Sequence, residues 1–159
     1  MDIKIKRFER GDIAPVLGLL REFADYENLT QFLDVTEERI EKAFFAKGST
    51  VEGLVAIANA EAVGYAFFFT NFASFRGQRG FYLEDIYIKE SFRGRGIGEQ
   101  MLRELARLAA SRGYERIDFV VLDWNTTAID FYEKHGAEMD QSERHFKFTD
   151  DAFERLARE

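Results

Sequence analysis

The sequence contains no cysteine, and it has only two histidines and one proline among its 159 residues. Without cysteine the chain cannot form disulfide bonds, thiolate zinc sites or a cysteine nucleophile, and two histidines are too few for a multi-histidine metal site. We therefore expect no bound metal. A chain without cysteine also suits the reducing cytosol, and we expect a cytoplasmic protein.

The sequence also lacks a long apolar segment and an excess of basic residues. No apolar run approaches the roughly 20 residues that cross a bilayer, and the N-terminus is charged, so we expect no membrane association. Lys and Arg number 22 against 29 Asp and Glu, which gives a formal net charge of -7. This negative charge disfavours nucleic acid as the main partner. Two explanations of the charge remain open, namely that it keeps the protein soluble or that it attracts a cationic substrate.

The residues that are present predict one globular domain. Hydrophobic residues make up 46% of the chain, and they include 17 Phe and 6 Tyr, which is too rich a composition for a disordered protein. No linker, repeat or low-complexity tract interrupts the sequence. We therefore interpret residues 1–159 as a single domain, in line with the roughly 100–200 residues that a typical domain contains.

The spacing of the apolar residues predicts an α/β fold with a mixed sheet. Apolar residues that alternate with polar ones predict strands, and apolar residues at intervals of three and four predict helices. The clearest helix begins at Ile97 and is capped by Gly113, and the strands on either side of it predict a parallel crossover. The predicted elements are, in order, an edge strand at 3–5, a helix capped by Asp12, a helix that begins after Thr36, a strand hairpin at 50–59 and 62–72, a strand at 81–88, the helix at 97–113, a strand at 117–122, a helix from Asn125 to Gly136, a strand near 146–148 and a C-terminal helix.

The segment Arg93-Gly94-Arg95-Gly96-Ile97-Gly98 lies between a predicted strand and a predicted helix. Glycines at alternate positions let backbone N–H groups converge at a helix N-terminus, where the helix dipole favours an anion such as a phosphate. The next residues are Glu99 and Gln100, whereas a Walker A motif requires Lys and Ser or Thr, and a Rossmann fingerprint requires Gly or Ala in place of Glu99. Both motifs match poorly, and an ordinary glycine-rich turn is the alternative.

This loop, the strand 82–88 before it and the later segment Leu122-Asp123-Trp124-Asn125 with Phe131-Tyr132 resemble motifs A and B of the GCN5-related N-acetyltransferases. Within that family the pair Tyr26-Glu27 and the segment 131–138 are most similar to the diamine (spermidine/spermine) acetyltransferase branch. The resemblance covers nearly the whole chain. It implies a mixed, mostly antiparallel central sheet flanked by helices, in which two parallel strands splay apart to form an acetyl-CoA cleft.

The resemblance implies acetyl-CoA as the co-substrate. Its pyrophosphate would lie in the glycine loop, and its pantetheine arm would run between the strands that end at Ile88 and Leu122. Backbone groups of the first strand would polarise the thioester carbonyl, which is the electrostatic stabilisation that acyl transfer requires. The residues implied in binding acetyl-CoA are Ile86, Tyr87, Ile88, Arg93, Gly94, Arg95, Gly96, Ile97, Gly98, Glu99, Asn125, Ala128 and Tyr132.

The resemblance also implies two catalytic residues. Tyr132 falls where the family places the general acid that protonates the departing thiolate, and a phenol with a pKa of about 10 keeps its proton at neutral pH. The alternative is that Tyr132 is a core aromatic beside Phe131. Glu84 is the candidate base that deprotonates the amine through water. Strand alternation predicts that Asp85 points to the opposite face from Glu84, so that one of the two is only an ion-pair or solvated partner.

The acceptor implied by the branch is a small amine, held by Tyr26, Glu27, Glu84, Asp85 and Asp118. The sequence departs from the branch at residues 71–73, which lack an expected acid, and near residues 142–145, where the expected acid and tryptophan segment is shortened.

The alternatives are a protein N-terminus or an aminoglycoside as acceptor, or a non-catalytic acetyl-CoA-binding module. The presence of both candidate catalytic residues argues against the last. The branch also implies a homodimer with the active site near the subunit interface.

Overall fold

The computed structural model describes residues 2–158 and folds them into five strands and five α-helices. The chain divides into two compact units after Val120. All five strands and the first three helices belong to the first unit. The elements are β1 (Ile3–Arg7), α1 (Ile13–Tyr26), α2 (Glu37–Phe45), β2 (Val51–Ala58), β3 (Glu61–Ala73), β4 (Gln78–Ile88), α3 (Ile97–Ser111), β5 (Arg116–Asp118), α4 (Thr126–Lys134) and α5 (Asp150–Arg158).

The strands form one sheet in the order β1-β2-β3-β4-β5. Neighbours from β1 to β4 are antiparallel and β4 pairs with β5 in parallel, so the predicted mixed, mostly antiparallel sheet with β1 at its edge is confirmed. The predicted hairpin is also confirmed. Asn59 and Ala60 join β2 to β3 with φ values of 50° and 64°, the left-handed conformation of a type I′ turn, whose twist matches that of the flanking strands.

Helices cover both faces of the sheet. On one face, α3 buries the residues that its helical spacing predicted to face inward, and they pack on β2, β3 and β4. On the other face, α1 and α2 pack against Val55, Tyr65 and Tyr87. Each buried side chain of leucine or phenylalanine size contributes about 1.5–3 kcal/mol. The buried residues of α3 are Ile97, Met101, Leu105 and Ala109.

A β-bulge interrupts β4 at Glu84. Leu83 pairs with Phe68 of β3 and Asp85 pairs with Phe67, so Glu84 is an extra residue without a partner on β3. A bulge shifts the alternation of side chains by one residue. Leu83 therefore packs under α3, whereas Tyr87 packs under α1. The strict alternation of side chains, which predicted the direction of Asp85, therefore does not hold across Glu84.

The parallel pair is short and ends abruptly. β4 pairs with β5 only at Gly80, Phe81 and Tyr82. The two backbones approach so closely there that a Cβ on Gly80 would clash with the carbonyl oxygen of Arg116. β5 ends at Asp118, so the predicted strand at 117–122 was too long. β4 continues to Ile88, and along that stretch no other strand of residues 2–158 pairs with this edge.

Helix ends follow local signals with one exception. The Thr36 hydroxyl accepts a hydrogen bond from the Arg39 N–H and caps α2 as predicted. Gly113 and Gly136 follow α3 and α4 with positive φ, as predicted for helix ends. Asp12 occupies the N-cap position of α1, but its carboxylate accepts from the Glu9 N–H at 2.8 Å instead of capping the helix.

The second unit contains α4 and α5. Asn125 caps α4 as predicted, because its side-chain oxygen accepts a hydrogen bond from the Ala128 N–H at 3.2 Å. The predicted strand near 146–148 is wrong, since these residues form irregular backbone and Phe146 and Phe148 are exposed. A strand needs a neighbour for its N–H and C=O groups, and none pairs there. Within residues 2–158, no helix is both long and apolar enough to cross a membrane.

Candidate active site

The glycine loop opens α3. Gly94 and Gly96 have φ values of 72° and 76°, and a Cβ on either would meet no atom within 4 Å. Backbone conformation rather than crowding therefore requires glycine at both positions. Gly96 is the N-cap of α3, and its carbonyl accepts from the Gln100 N–H at 3.0 Å. The N–H groups of the first helical turn have no acceptor within the helix, and the helix dipole favours an anion beside them. The loop therefore fits a phosphate or pyrophosphate.

Two arginines of the loop fold back onto the protein. The Arg93 Nε donates a hydrogen bond to the carbonyl of Ile88 at 2.9 Å, and its guanidinium lies 4.5 Å from the ring centre of Tyr26 and 5.3 Å from that of Tyr87. Such contacts are typical cation–π distances. Arg95 donates to the carbonyl of Ser91 at 3.2 Å. Arg93 thus connects the glycine loop to the last residue of α1.

Glu99 lies in the first turn of α3, close to the proposed anion site. Its carboxylate accepts two hydrogen bonds from Arg103, one turn further along the helix, at 3.0 and 2.6 Å. This ion pair compensates a negative charge that would otherwise oppose an anion at the helix N-terminus. Ile97 is buried under the sheet and fixes the start of the helix.

The end of β4 offers an open backbone edge beside the loop. Ile86, Tyr87 and Ile88 pair with β3 on one side. Their other side carries no partner strand among residues 2–158. Since peptide groups along a strand point alternately to its two edges, some of these N–H and C=O groups face the open edge. An extended ligand arm can therefore hydrogen-bond there as an additional strand would.

Three acids come together near the bulge. Glu27 is half-buried at the end of α1, and burial raises the pKa of its carboxyl. Burial, and then the negative charge of Glu84, raise the pKa of the Asp85 carboxyl to about 6. This value also includes a hydrogen bond from Tyr65, which lowers the pKa, and the charge of Glu27, which raises it. Because Glu84 is the bulged residue, simple strand alternation does not set the direction of Asp85 relative to Glu84.

Asp118 is held by other partners. It accepts two hydrogen bonds from Arg116, at 2.7 and 2.6 Å, and one from the Asn71 amide at 3.0 Å. The Arg116 hydrogen bonds hold the pKa of Asp118 below its usual value. Its charge is therefore compensated, in contrast to the three acids near the bulge. Burial, and then the charges of Glu84 and Asp118, raise the pKa of the Tyr82 phenol.

Tyr26 lies at the margin of an open cleft in the first unit. It is the last residue of α1, and it is about 39% exposed. The cleft has a volume of about 540 Å³ and lies between the end of α1 and the segment after β4. Acidic and aromatic side chains dominate its lining. The lining residues are Glu22, Asp25, Tyr26, Tyr87, Lys89, Glu90 and Ser91.

The remaining predicted site residues are on or next to α4 in the second unit. Asn125 is buried at the start of the helix. Ala128 and Tyr132 are four residues apart and share one helical face. Tyr132 is half-buried, and its ring packs edge-on against Phe131 at 5.3 Å between centres.

Sequence reasoning missed Tyr65. It lies within a run of aromatic residues on β3 and nothing in the local pattern distinguishes it from a core phenylalanine. The structure places its hydroxyl 3.4 Å from a carboxylate oxygen of Asp85. Only the pairing of β3 with β4 reveals this contact. Among residues 2–158, no group of three or more His, Asp or Glu side chains is arranged to hold a metal ion.

The chain is similar to acetyltransferases along most of its length. It is 34% identical over 167 residues to the thialysine N-epsilon-acetyltransferase of Bos taurus, covering 98% of this chain and 97% of that protein. It is 29% identical over 141 residues to the spermidine/spermine N(1)-acetyltransferase-like protein 1 of Homo sapiens, covering 84% of this chain and 20% of that protein. These relatives confirm the predicted similarity to the diamine acetyltransferase branch.

The fold is shared with solved structures. The integron cassette protein VCH_CASS6 of V. cholerae superposes with a TM-score of 0.83 at 24% identity, covering 100% of this chain and 99% of that one. The sequence profile of the acetyltransferase (GNAT) family matches residues 17–137, which include the glycine loop and α4. The chain therefore belongs to the acetyltransferase (GNAT) family and is an N-acetyltransferase.

Proposed function

We propose that this enzyme transfers the acetyl group of acetyl-CoA to a primary amine of a small cationic acceptor, such as a polyamine, a diamine or a lysine-like thioether amino acid. The observation that carries the proposal is the group formed by Glu27, Glu84 and Asp85 beside the open edge of β4. Three interacting acids attract a cation and are stabilised by it. The similarity to a thialysine acetyltransferase supports an amine on an amino-acid side chain.

The anion-binding loop supports acetyl-CoA as the co-substrate, which the GNAT family uses. We propose that residues 93–99 hold the pyrophosphate through backbone N–H groups at the start of α3. The open edge of β4 at residues 86–88 would hydrogen-bond the pantetheine arm and polarise the thioester carbonyl. We also propose that Asn125 and Ala128 contact acetyl-CoA, and the family motif is the support for these two contacts. Arg93 and Arg95 add positive charge beside the pyrophosphate.

The proposed reaction is a direct transfer. Glu84 is exposed at the bulge, where water can relay a proton from the acceptor ammonium to its carboxylate. The free amine nitrogen then bonds to the thioester carbon as the carbon–sulfur bond breaks. Tyr132 gives its proton to the departing thiolate, and the proton that the new amide nitrogen then loses restores the phenol. The role of Tyr132 is supported by the motif and by the chemistry of a phenol. Asp85, Glu27 and Tyr26 would hold the cationic acceptor.

The glycine loop can be tested with a matched pair of variants. Gly96 and Gly113 both have φ near 75° and open space where a Cβ would lie, so Gly→Ala imposes similar backbone strain at either end of α3. Gly96→Ala should raise the dissociation constant for acetyl-CoA in calorimetry, because it distorts the anion site. Gly113→Ala should leave that constant unchanged. Equal effects of the two variants would contradict the placement of the pyrophosphate.

The proton donor can be tested by removing one hydroxyl. Tyr132→Phe should retain the fold and the affinity for acetyl-CoA but lower kcat by roughly 10²–10⁴-fold, the range for one general acid. Steady-state turnover with free CoA as the readout measures the effect. Tyr114→Phe is the control, since its hydroxyl contacts Thr70 and takes no part in the proposed chemistry. A fully active Tyr132→Phe enzyme would assign the proton donor elsewhere.

The acceptor class can be tested through charge. Glu27→Gln should raise KM for a cationic amine without altering the affinity for acetyl-CoA, and the effect should shrink as salt increases. Glu115→Gln removes an exposed charge elsewhere and should change neither quantity. The panel should include spermidine, short diamines, thialysine, an aminoglycoside and a peptide N-terminus. Efficient acetylation of the peptide with no turnover of the small amines would overturn the proposed acceptor class.

We propose further that the enzyme is a homodimer. Its second unit exposes several large apolar side chains, including Met139, Phe146, Phe148, Phe153 and Leu156. Exposed apolar surface of this kind favours association. Sedimentation analysis should give twice the mass of one chain, and Phe153→Asp should lower it. Phe75→Asp, at the exposed tip of the β3–β4 hairpin, is the matched control, and a monomeric wild type would refute the proposal.

A further inference from the structure

Tyr65 is a tyrosine in an aromatic core. It lies in the middle of β3, its side chain is fully buried, and its ring packs 4.7 Å from that of Phe67. Phenylalanine occupies the three positions that follow Ala66 on the same strand, and it would fill this space equally well. A buried phenol hydroxyl costs free energy unless it has a hydrogen-bond partner. The hydroxyl of Tyr65 therefore needs an explanation that packing does not supply.

The partner of this hydroxyl is Asp85. The oxygen of Tyr65 lies 3.4 Å from a carboxylate oxygen of Asp85, across the β3–β4 pair. Burial raises the pKa of Tyr65 well above its ordinary value, so the phenol keeps its proton and donates it to the carboxylate in a hydrogen bond. The bulge at Glu84 creates the contact, because it brings Asp85 to the face of the sheet that carries Tyr65.

The other groups that act on Asp85 are negative. Glu84 lies next to it on β4, and Glu27 approaches from the end of α1. Both charges disfavour an ionised Asp85, and so does burial. The hydrogen bond from Tyr65 acts in the opposite sense and favours the ionised form. While no cation is bound, the Tyr65 hydroxyl is thus the group that stabilises the ionised form of Asp85.

We propose that Tyr65 is a positioning residue for acceptor binding, whose hydroxyl orients the Asp85 carboxylate and keeps it ionised for the ammonium group of the acceptor. This inference rests on the proposed function, since it assumes a cationic acceptor beside Asp85. A group with a raised pKa loses its proton only as the pH rises through that pKa, here about 6. Acceptor binding should therefore strengthen as the pH rises through this range.

The first measurement does not depend on activity. Carboxyl carbon NMR of protein labelled at aspartate follows the titration of Asp85, which Asp85→Asn identifies by removing its signal. In Tyr65→Phe the midpoint of this titration should move to higher pH by roughly half a unit to one unit, because a hydrogen bond to the ionised form is lost. Tyr114→Phe, which loses a hydroxyl bonded to Thr70, should not move it. An unchanged midpoint in Tyr65→Phe overturns the proposal.

The second measurement uses the reaction. Near pH 6.5, Tyr65→Phe should raise KM for the amine by roughly 1.5- to threefold, because a midpoint moved by half a unit to one unit leaves less of Asp85 ionised, with kcat and KM for acetyl-CoA unchanged. The difference should shrink above pH 8, where Asp85 is ionised in both proteins. In an Asp85→Asn background, Tyr65→Phe should have no further effect. Additive effects of the two substitutions would show that Tyr65 does not act through Asp85.

The two measurements separate the ways in which the inference can fail. If the NMR midpoint moves but KM for the amine does not, Tyr65 supports the charge of Asp85 without serving acceptor binding, and the inference is wrong. If the wild-type enzyme acetylates no cationic amine, the proposed acceptor class fails while the titration still reports on the contact between Tyr65 and Asp85. A circular dichroism spectrum and a melting temperature close to those of the wild type confirm that Tyr65→Phe retains the fold.

Discussion

The candidate site depends on a single extra residue in β4. Because Glu84 has no partner on β3, every later residue of the strand changes face relative to the earlier ones. Before the bulge, odd-numbered residues such as Leu83 pack under α3. After it, the odd-numbered Asp85 and Tyr87 lie on the side of α1. The bulge thereby brings a carboxylate close to Tyr65 and leaves Glu84 exposed beside it.

The partial pairing of β4 with β5 provides the second feature of the site. Gly80 allows the two backbones to approach closely, and the pairing ends two residues later at Tyr82. The remainder of β4 keeps its hydrogen bonds to β3 but has an open outer edge, and the glycine loop begins at Arg93, one short turn after this edge ends. An extended molecule with an anionic end group matches this combination of strand edge and helix N-terminus.

The acids near the bulge reduce stability at neutral pH. Asp85 has a pKa of about 6 in the folded protein, whereas the ordinary value for an aspartate is 3.8. The folded state therefore binds the proton more tightly than the unfolded state does, and the contribution of Asp85 to stability falls as the pH rises from about 4 through 6. The loss at neutral pH is at most about 3 kcal/mol. Such a loss of stability is common at functional sites where neighbouring like charges are compensated only when a ligand of opposite charge binds.

The sequence by itself determined the elements that depend on local chemistry. The spacing of Ile97, Met101 and Leu105 predicts the inner face of α3, and Thr36 and Asn125 cap their helices through side chains a few residues away. The glycine loop is also local, because positive φ values and a helix start are properties of a short segment. For the same reason, the order of strands and helices up to α4 was predictable, as was the family.

Only the tertiary structure decided the features that depend on a neighbouring strand. The length of β5 is set by how far β4 stays within hydrogen-bonding distance, and residues 146–148 form no strand because no strand pairs with them. The orientation of Asp85 and its contact with Tyr65 depend on the register between β3 and β4. A strand carries the same alternating pattern whether or not a bulge interrupts its pairing, so the position of an extra residue is fixed by the partner strand and by the helices packed on each face.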